Sequence, residues 1–194
     1  DSTTEVHEYV FQNNQTNAEF LLERARRHGY ELCVEEDTLH FRKPTASGGP
    51  IRLTWGDDLL AFHPRLSTTE QVNEVEVRGW DPKQKREIVG RATRGQGEPQ
   101  TGVGGTGADI AKRAWGEAKV AVLDRQVNSP AEAEAIAQAL LDEVASVFVE
   151  AEGLCDMHPD IFPGGQVQLD NVGTRFNGTY YVTQVTHEWT VAGG

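Results

Sequence analysis

The stretch GGQVQLDNVG at residues 164–173, followed by GTYYVTQVTHEW at residues 178–189, decides the fold that we expect. In both stretches apolar or aromatic residues alternate with polar ones, and Asn177-Gly178 between them is a turn signal. Thr, Tyr, Val and Trp at a period of two fit a pleated, half-buried surface, whereas a helix would scatter them around its circumference. The alternation therefore predicts a pair of strands.

The composition predicts a globular protein with no nucleic-acid partner. The chain has 194 residues, of which 38% are hydrophobic, and this is enough to bury a core. Its 18 Lys and Arg against 30 Asp and Glu give a net charge of −12, which repels a phosphate backbone and an anionic membrane. Because no apolar run approaches the roughly 20 residues of a membrane span, we expect no stable membrane insertion. The chain begins at Asp1 without Met or a signal peptide, so we expect a fragment of a longer parent.

Two cysteines, Cys33 and Cys155, lie far apart in the sequence. Neither belongs to a close pair of the kind that frames a zinc site or a redox disulfide. A free Cys among apolar neighbours behaves as a small apolar side chain. We therefore predict free thiols in a reducing compartment.

The first part of the chain, residues 1–70, is predicted to form a small α/β domain. Residues 6–11 have the composition of a short strand, and Thr16-Asn17-Ala18-Glu19 is a capping box. This box predicts a helix over 17–28, which Gly29 ends. Two β-type runs within residues 30–42 flank a short acidic turn and predict a hairpin.

The second part, residues 71–194, is predicted to be mainly β. Residues 72–80 alternate cleanly, and Trp80-Asp81-Pro82 predicts the turn to a return strand. Leu59 to Leu66 is too interrupted around Pro64 to predict a long element. Residues 91–125 are predicted to be a Gly-rich, mobile insertion with a short helix, and Ser129-Pro130-Ala131-Glu132 predicts a helix from 130 to about 148.

Motifs for catalysis or cofactor binding are weak. Residues 102–107, GVGGTG, fit G-x-G-x-x-G, but no buried strand leads into them, so we interpret them as a linker. His187-Glu188 begins like a zincin motif but lacks the second histidine. Glu150, Glu152 and Asp156 could form a glycosidase-like group, yet alternating Glu on a strand is more typical of a water-facing sheet surface. We expect no catalytic residue, no metal, no cofactor and no enzymatic activity.

Several stretches together resemble the phage late control D family, which includes the baseplate hubs of contractile phages and the hub part of VgrG-type spikes. They are NAEFLLERA (17–25) with HGY (28–30), PRLST (64–68), VEVRGWDP (75–82) and GTYYVTQVTH (178–187). The resemblance covers most of the chain outside about residues 93–125. It implies an α+β chain whose second part is an antiparallel, split, tube-type β-barrel with a packed helix.

The resemblance also implies a structural role. Family members resemble homotrimers that form a pseudo-hexameric ring, which joins a tail tube protein to a spike protein or spike domain. Such a ring assembles in the cytoplasm into a phage tail or injection particle. The residues expected to mark the ends of barrel strands are Trp80, Asp81, Pro82, Tyr180, Tyr181, His187 and Trp189. We expect part of the acidic surplus to line the lumen of the ring.

Two other functions stay open on the sequence. One is a cell-wall-degrading hydrolase of the same particle, which a convergent pair of carboxylates in a deep pocket would favour. The other is a carbohydrate-binding β module, which an exposed aromatic platform at Trp115 or Trp189 would favour.

Overall fold

A computed structural model of the chain describes residues 6–7, 9–35, 37–44, 49–97 and 100–189. The helices are α1 (Asn17–Arg27), α2 (Gly107–Trp115) and α3 (Pro130–Ser146). The strands are β1 (Glu31–Glu35), β2 (Thr38–Arg42), β3 (Ile51–Thr54), β4 (Leu59–Leu66), β5 (Glu74–Asp81), β6 (Arg86–Ala92), β7 (Gln100–Thr101), β8 (Lys119–Val122), β9 (Val149–Cys155), β10 (Gln166–Asp170) and β11 (Gly178–Tyr181). The predicted α+β class is confirmed.

The strands form four open sheets, with the orders β1-β2, β3-β10-β11-β7, β4-β9 and β6-β5-β8. The described residues contain no closed barrel, so the predicted split β-barrel is corrected to open sheets. The prediction placed residues 75–80 in one barrel, with residues 180–189 as its return. Both edges of β5 are instead occupied, by β6 and β8, and β11 lies between β10 and β7.

The chain divides into two compact units. Unit 1 comprises Asp1–Pro44, Ser67–Glu98 and Gly105–Phe148, and unit 2 comprises Thr45–Leu66, Pro99–Gly104 and Val149–Gly194. Neither unit coincides with the predicted division into residues 1–70 and 71–194. The physical reason is strand pairing between distant segments, because β3 pairs with β10 and β4 pairs with β9.

In unit 1, α3 packs against one face of the sheet β6-β5-β8. Val77 and Ala137 have no exposed surface, and Ile136 and Ile88 are 2% exposed. Gly90 of β6 allows this close approach, since a Cβ at that position would lie 2.2 Å from the backbone carbonyl carbon of Ala133. The main apolar core of the unit therefore lies between one helix and one sheet face.

The start of α3 confirms the predicted helix and corrects one detail of its cap. Ser129 Oγ accepts the backbone N–H of Glu132, as expected. The Glu132 carboxylate, 1% exposed, accepts the backbone N–H of Asn128 at 2.8 Å and an N–H of Arg27 from α1 at 2.6 Å. Burial alone would raise the pKa of Glu132, but the bonds from Arg27 and Asn128 outweigh it and lower that pKa. Glu132 thus joins two helices as well as capping one.

The N-terminal part of unit 1 follows its local signals. The capping box at Thr16 and Glu19 is formed, with both reciprocal bonds present. Gly29 has φ +64°, which suits the glycine predicted to end α1. Strands β1 and β2 form the predicted hairpin over residues 31–42. Residues 6–7 and 9–11 are not in a strand, which corrects the predicted strand over residues 6–11; residue 8 lies outside the described part.

In unit 2, β10 pairs parallel to β3 and antiparallel to β11. The described residues 182–189 are not in a strand, so the predicted strand ends at Tyr181. Leu59 to Leu66 was predicted to be too interrupted for a long element, and this is wrong. The segment forms the eight-residue strand β4, which runs through Pro64 and pairs with β9. Among the described residues β4 belongs to a two-stranded sheet, and proline is tolerated in edge strands.

The segment predicted to be a mobile insertion contributes ordered elements. Strand β8 pairs with β5, and β7 pairs with β11. Gln138 Nε2 donates to the carbonyl of Arg94 at 2.9 Å, and Gln96 N–H donates to Asp142 at 2.7 Å. These bonds hold the glycine-rich residues 94–97 on α3; residues 98–99 lie outside the described part.

Candidate functional site: the ion-paired face of the sheet

The face of the sheet β6-β5-β8 opposite α3 carries a continuous set of charged side chains, which we call the ion-paired face. Because side chains of a strand alternate, Val75 and Val77 face α3 while Glu74, Glu76 and Arg78 face away. The strand register places Lys119 of β8 beside Glu74, and Arg91 of β6 beside Glu76.

The charged groups are linked in sequence across the three strands. Lys119 Nζ lies 2.7 Å from Glu74 Oε2, and Arg91 Nε lies 3.7 Å from Glu74 Oε1. Glu76 accepts hydrogen bonds from both Arg91 and Arg78. Arg78 Nη1 then reaches Glu87 Oε1 at 3.1 Å. The ion-paired face thus combines three cations with three carboxylates, so its formal charge is zero in a chain of net charge −12.

The pKa shifts on the ion-paired face favour the charged forms. Hydrogen bonds from Arg91 and Arg78 lower the pKa of Glu76. The hydrogen bond to Glu74 raises the pKa of Lys119. A general acid or base needs a pKa near the operating pH, and these shifts move both groups away from neutrality. The ion-paired face is therefore unsuited to proton transfer. It contains a depression of about 490 Å³ and is suited to contact with another surface or to shielding the sheet from solvent.

The predicted motif residues of unit 1 form a turn. Trp80 lies near the end of β5 and is 61% exposed. Asp81 Oδ1 accepts the backbone N–H groups of Lys83 and Gln84 at 2.9 and 3.0 Å, which is the turn chemistry expected of Asp before Pro82. The turn joins β5 to β6, as predicted.

The predicted motif residues of unit 2 have different environments. Tyr180 is 7% exposed, and its hydroxyl donates to the carbonyl of Phe176 at 2.8 Å; burial raises the pKa of this phenol to about 12. Tyr181 is half-buried in β11. His187 Nε2 lies 3.1 Å from the carbonyl oxygen of Ile161, and its ring contacts Phe162. Trp189 is 82% exposed.

Sequence analysis identified β5 of the ion-paired face and its antiparallel neighbour β6, but missed the parallel pairing with β8. The alternation of residues 72–80 predicted which side chains of β5 face outward. The contribution of Lys119 depends on the parallel pairing of β8 with β5, which no local pattern in the sequence indicates. A Glu-x-Glu-x-Arg run with basic residues in the neighbouring strands is the signal that could have suggested the ion pairs.

The alternative sites are present as residues but not as built centres. Glu150 and Glu152 lie exposed on β9, and the described residues contain no group of three or more His, Cys, Asp or Glu that could hold a metal ion. Trp115 and Trp189 are each 82% exposed, in different units. Among the helices of the described part, none has the length and apolar character needed to cross a membrane.

A family model described as the Alg8 N-terminal domain matches residues 1–190. The family match is therefore not to the late control D family that the sequence resembles. No curated protein matches the sequence.

A solved structure supports the fold. The chain is similar to the crystal structure of the 43 kDa tail protein of prophage MuSo2 from Shewanella oneidensis, with a TM-score of 0.63 and 14% identity. The match covers 91% of this chain and 53% of that chain, so this chain spans about half the length of the tail protein. At this identity the likeness establishes a shared fold.

Proposed function

We propose that this chain, which belongs to the Alg8 N-terminal domain family, is a structural subunit of a contractile phage tail or a related injection system. The observation that carries the proposal is the match of 91% of the chain to the fold of a prophage tail protein. The resemblance to late control D and VgrG-type hubs supports the same role, and it rests on sequence motifs instead of on the structural match. The finer proposal is a baseplate hub that joins the tail tube to the spike as a trimeric, pseudo-hexameric ring.

The surface chemistry is compatible with a structural role. The carboxylates and cations of the ion-paired face form ion pairs with one another. The net charge of −12 disfavours adhesion to nucleic acid. We propose that the chain is not an enzyme, that it binds no cofactor, and that its partners are copies of itself, the tail tube protein and a spike protein or domain. We propose that it assembles in the cytoplasm into a phage tail or injection particle, and so becomes part of a virion or of an extracellular machine.

Light scattering on the full-length parent protein, coupled to size-exclusion chromatography, tests the ring. We expect a mass three times that of one subunit, unchanged over a tenfold dilution. A strict monomer at all concentrations would remove the ring model. Density for the parent at the junction of tube and spike, in electron micrographs of purified particles, would then test the position.

The rival from another class is a hydrolase or carbohydrate-binding module of the same particle. Trp115 and Trp189, the two most exposed indoles of the described residues, are the features that a sugar binder would use. A suspension of purified peptidoglycan distinguishes these functions. A structural subunit neither clears its turbidity nor co-sediments with it, whereas clearing would indicate a hydrolase, and co-sedimentation lost on Trp115→Ala or Trp189→Ala would indicate a sugar binder.

A further inference from the structure

Strand β9 has an edge that pairs with no other described residue. It forms a two-stranded ribbon with β4, and the antiparallel pairing uses only one edge of each strand. Residues 150–154 are all exposed, so no described element covers this stretch. The backbone N–H and C=O groups on the free edge of β9 are therefore open to a further strand, which a two-stranded ribbon needs for independent stability.

Proteins usually block such an edge, and the two strands of the ribbon differ in this respect. Strand β4 contains Pro64, which cannot donate a ladder hydrogen bond. Strand β9, Val149–Cys155, contains neither proline nor lysine, and its register with β4 is regular from 149 to 154. The edge of β9 thus lacks the proline, lysine and bulge that commonly prevent strand addition.

One face of β9 favours basic side chains in an added strand. Glu150 and Glu152 lie on this face, opposite Arg65 and His63 of β4 in the register. Neither carboxylate forms an ion pair with another described residue. Because directly opposed side chains of neighbouring strands lie about 5 Å apart, the two carboxylates favour Lys or Arg at the facing positions and disfavour Asp or Glu.

The other face of β9 favours large apolar side chains. Ala151 and Gly153 lie there, and Gly153 is directly opposite Phe62 of β4. The Phe62 ring contacts the rings of Phe176 and Tyr180, with 6.3 and 6.4 Å between centroids. This apolar layer stops at β9, because alanine and glycine offer little apolar surface. An aromatic or large aliphatic residue beside Gly153 would extend the layer across the new strand.

We propose that the free edge of β9 binds an extended segment of a partner protein, in which Lys or Arg alternates with large apolar residues. The segment adds as a third strand, so main-chain hydrogen bonds provide affinity and the alternating side chains provide selectivity. Strand β9 of a second copy is a poor occupant, since pairing centred on Ala151 or Glu152 would oppose glutamates. This restriction applies to β9 alone and leaves other contacts between copies open.

The site goes beyond the proposed ring, because a strand can add to β9 whether or not the parent protein forms a trimer. Failure of the ring would show in the mass of the parent. Failure of strand addition would show in the binding of a peptide, so the two results are distinguishable.

The test titrates the ¹⁵N-labelled chain with capped seven-residue peptides at about 0.15 M salt, which screens long-range charge effects. The probe peptide is Thr-Arg-Phe-Arg-Phe-Arg-Thr, and a control peptide has Glu in place of each Arg. We expect the Arg peptide to shift the amides of residues 149–155 in a saturable manner. The Glu peptide should produce weaker changes, since it opposes the charge of β9.

Two backbone-methylated forms of the probe distinguish strand addition from other contacts. One form is N-methylated at its Arg residues and the other at its Phe residues, and the side chains are the same in both. Because the N–H groups of alternate residues point to the same edge of a strand, we expect one form to lose binding and the other to keep it. Amide hydrogen exchange in β9 should slow at alternate residues, whose N–H groups face the free edge.

Charge reversal locates the binding edge. Glu150→Lys combined with Glu152→Lys should weaken binding of the Arg peptide about tenfold and should strengthen binding of the Glu peptide. Glu134→Lys combined with Glu143→Lys is the matched control, since it makes the same change in net charge at two exposed positions of α3. It should leave both affinities unchanged. Undisturbed amide shifts outside the ribbon would show that the β9 variant remains folded, and the methylated peptides test the site on the unaltered chain.

Three outcomes would overturn this site. The first is equal binding of both methylated forms and the unmethylated probe, because backbone pairing would then be absent. The second is equal binding of the Arg and Glu peptides. The third is self-association of the chain that the β9 variant abolishes, because this would assign the edge to a second copy.

Discussion

The sheet β6-β5-β8 and the two-stranded ribbon β4-β9 show how differently two sets of alternating strands can be used. In the sheet, α3 covers one face, and the opposite face is the ion-paired face. In β9, residues 150–154 are all exposed, although Glu150 and Glu152 alternate with the small residues Ala151 and Gly153. Alternation therefore predicts a strand, but burial requires both large apolar side chains and an element that covers them.

The difference predicts where apolar side chains contribute to stability. Ile136→Ala removes a side chain that is 2% exposed beneath the sheet, so it should lower the free energy of unfolding by about 4 kcal/mol. Leu60→Ala in β4, where Leu60 is 53% exposed, should cost less than about 0.5 kcal/mol. Urea unfolding followed by tryptophan fluorescence measures both values. Equal losses would contradict the contrast between sheet and ribbon.

A second contrast concerns charge. Glu132→Gln removes a buried carboxylate and leaves Arg27, whose side chain is only 15% exposed, without its partner charge, so we expect a loss of about 3 kcal/mol at pH 7. Because the folded pKa of Glu132 lies below its ordinary value of 4.5, its contribution is complete above that pH and is lost as the pH falls through the folded pKa. The difference between wild type and variant should therefore narrow in acid.

Unfolding at a series of pH values measures this narrowing. Glu35→Gln is the matched control, because Glu35 lies 3.6 Å from His40 much as Glu132 lies 3.5 Å from His7, but its side chain is 67% exposed. That variant should have little effect at any pH. A loss for Glu132→Gln that is constant from pH 7 to pH 3 would show that shape, and not charge, determines the role of Glu132.

The same contrast explains which parts of the fold could be predicted from the sequence. The capping box at Thr16, the Ser129-Pro130 helix start and the hairpin over residues 31–42 depend on neighbours in the chain, and each is confirmed. The pairing of β3 with β10 joins Ile51 to Val167, and no local pattern specifies it. The barrel prediction was wrong for this reason: it joined the runs around β5 and β11 into one barrel, whereas β6 and β8 occupy both edges of β5.

The candidate site was partly predictable for a related reason. Period-two alternation identified the outward side chains of β5, because that property belongs to one strand. The ion pairs from Arg91 and Lys119 require β6 and β8 to flank β5, one antiparallel and one parallel. A parallel neighbour is separated by a long connection, so the sequence near β5 carries no signal for it.

Unit 2 contains a buried polar group, the hydroxyl of Tyr180, whose removal should have a smaller effect on stability. Tyr180→Phe removes the hydroxyl that donates to Phe176, and it should cost about 1 kcal/mol. Ultraviolet titration should also lose one tyrosine that ionises near pH 12, since burial raises the pKa of Tyr180 to about 12. Tyr9→Phe, at a residue that is 76% exposed, is the control and should leave stability unchanged.

The smallest expected effect lies on the ion-paired face, where stability should depend on salt. Glu76→Gln removes the carboxylate that Arg91 and Arg78 share, so it should lower the melting temperature less than Glu132→Gln does. Because these cations contact solvent, added salt screens the pairs, and the difference from wild type should shrink between 0.02 and about 0.5 M NaCl. Glu87→Gln, at the end of the same set and 51% exposed, should have a weaker effect. A salt-independent loss at Glu76 would show that the face is stabilised by packing of the side-chain stems, and that its charges serve a partner instead.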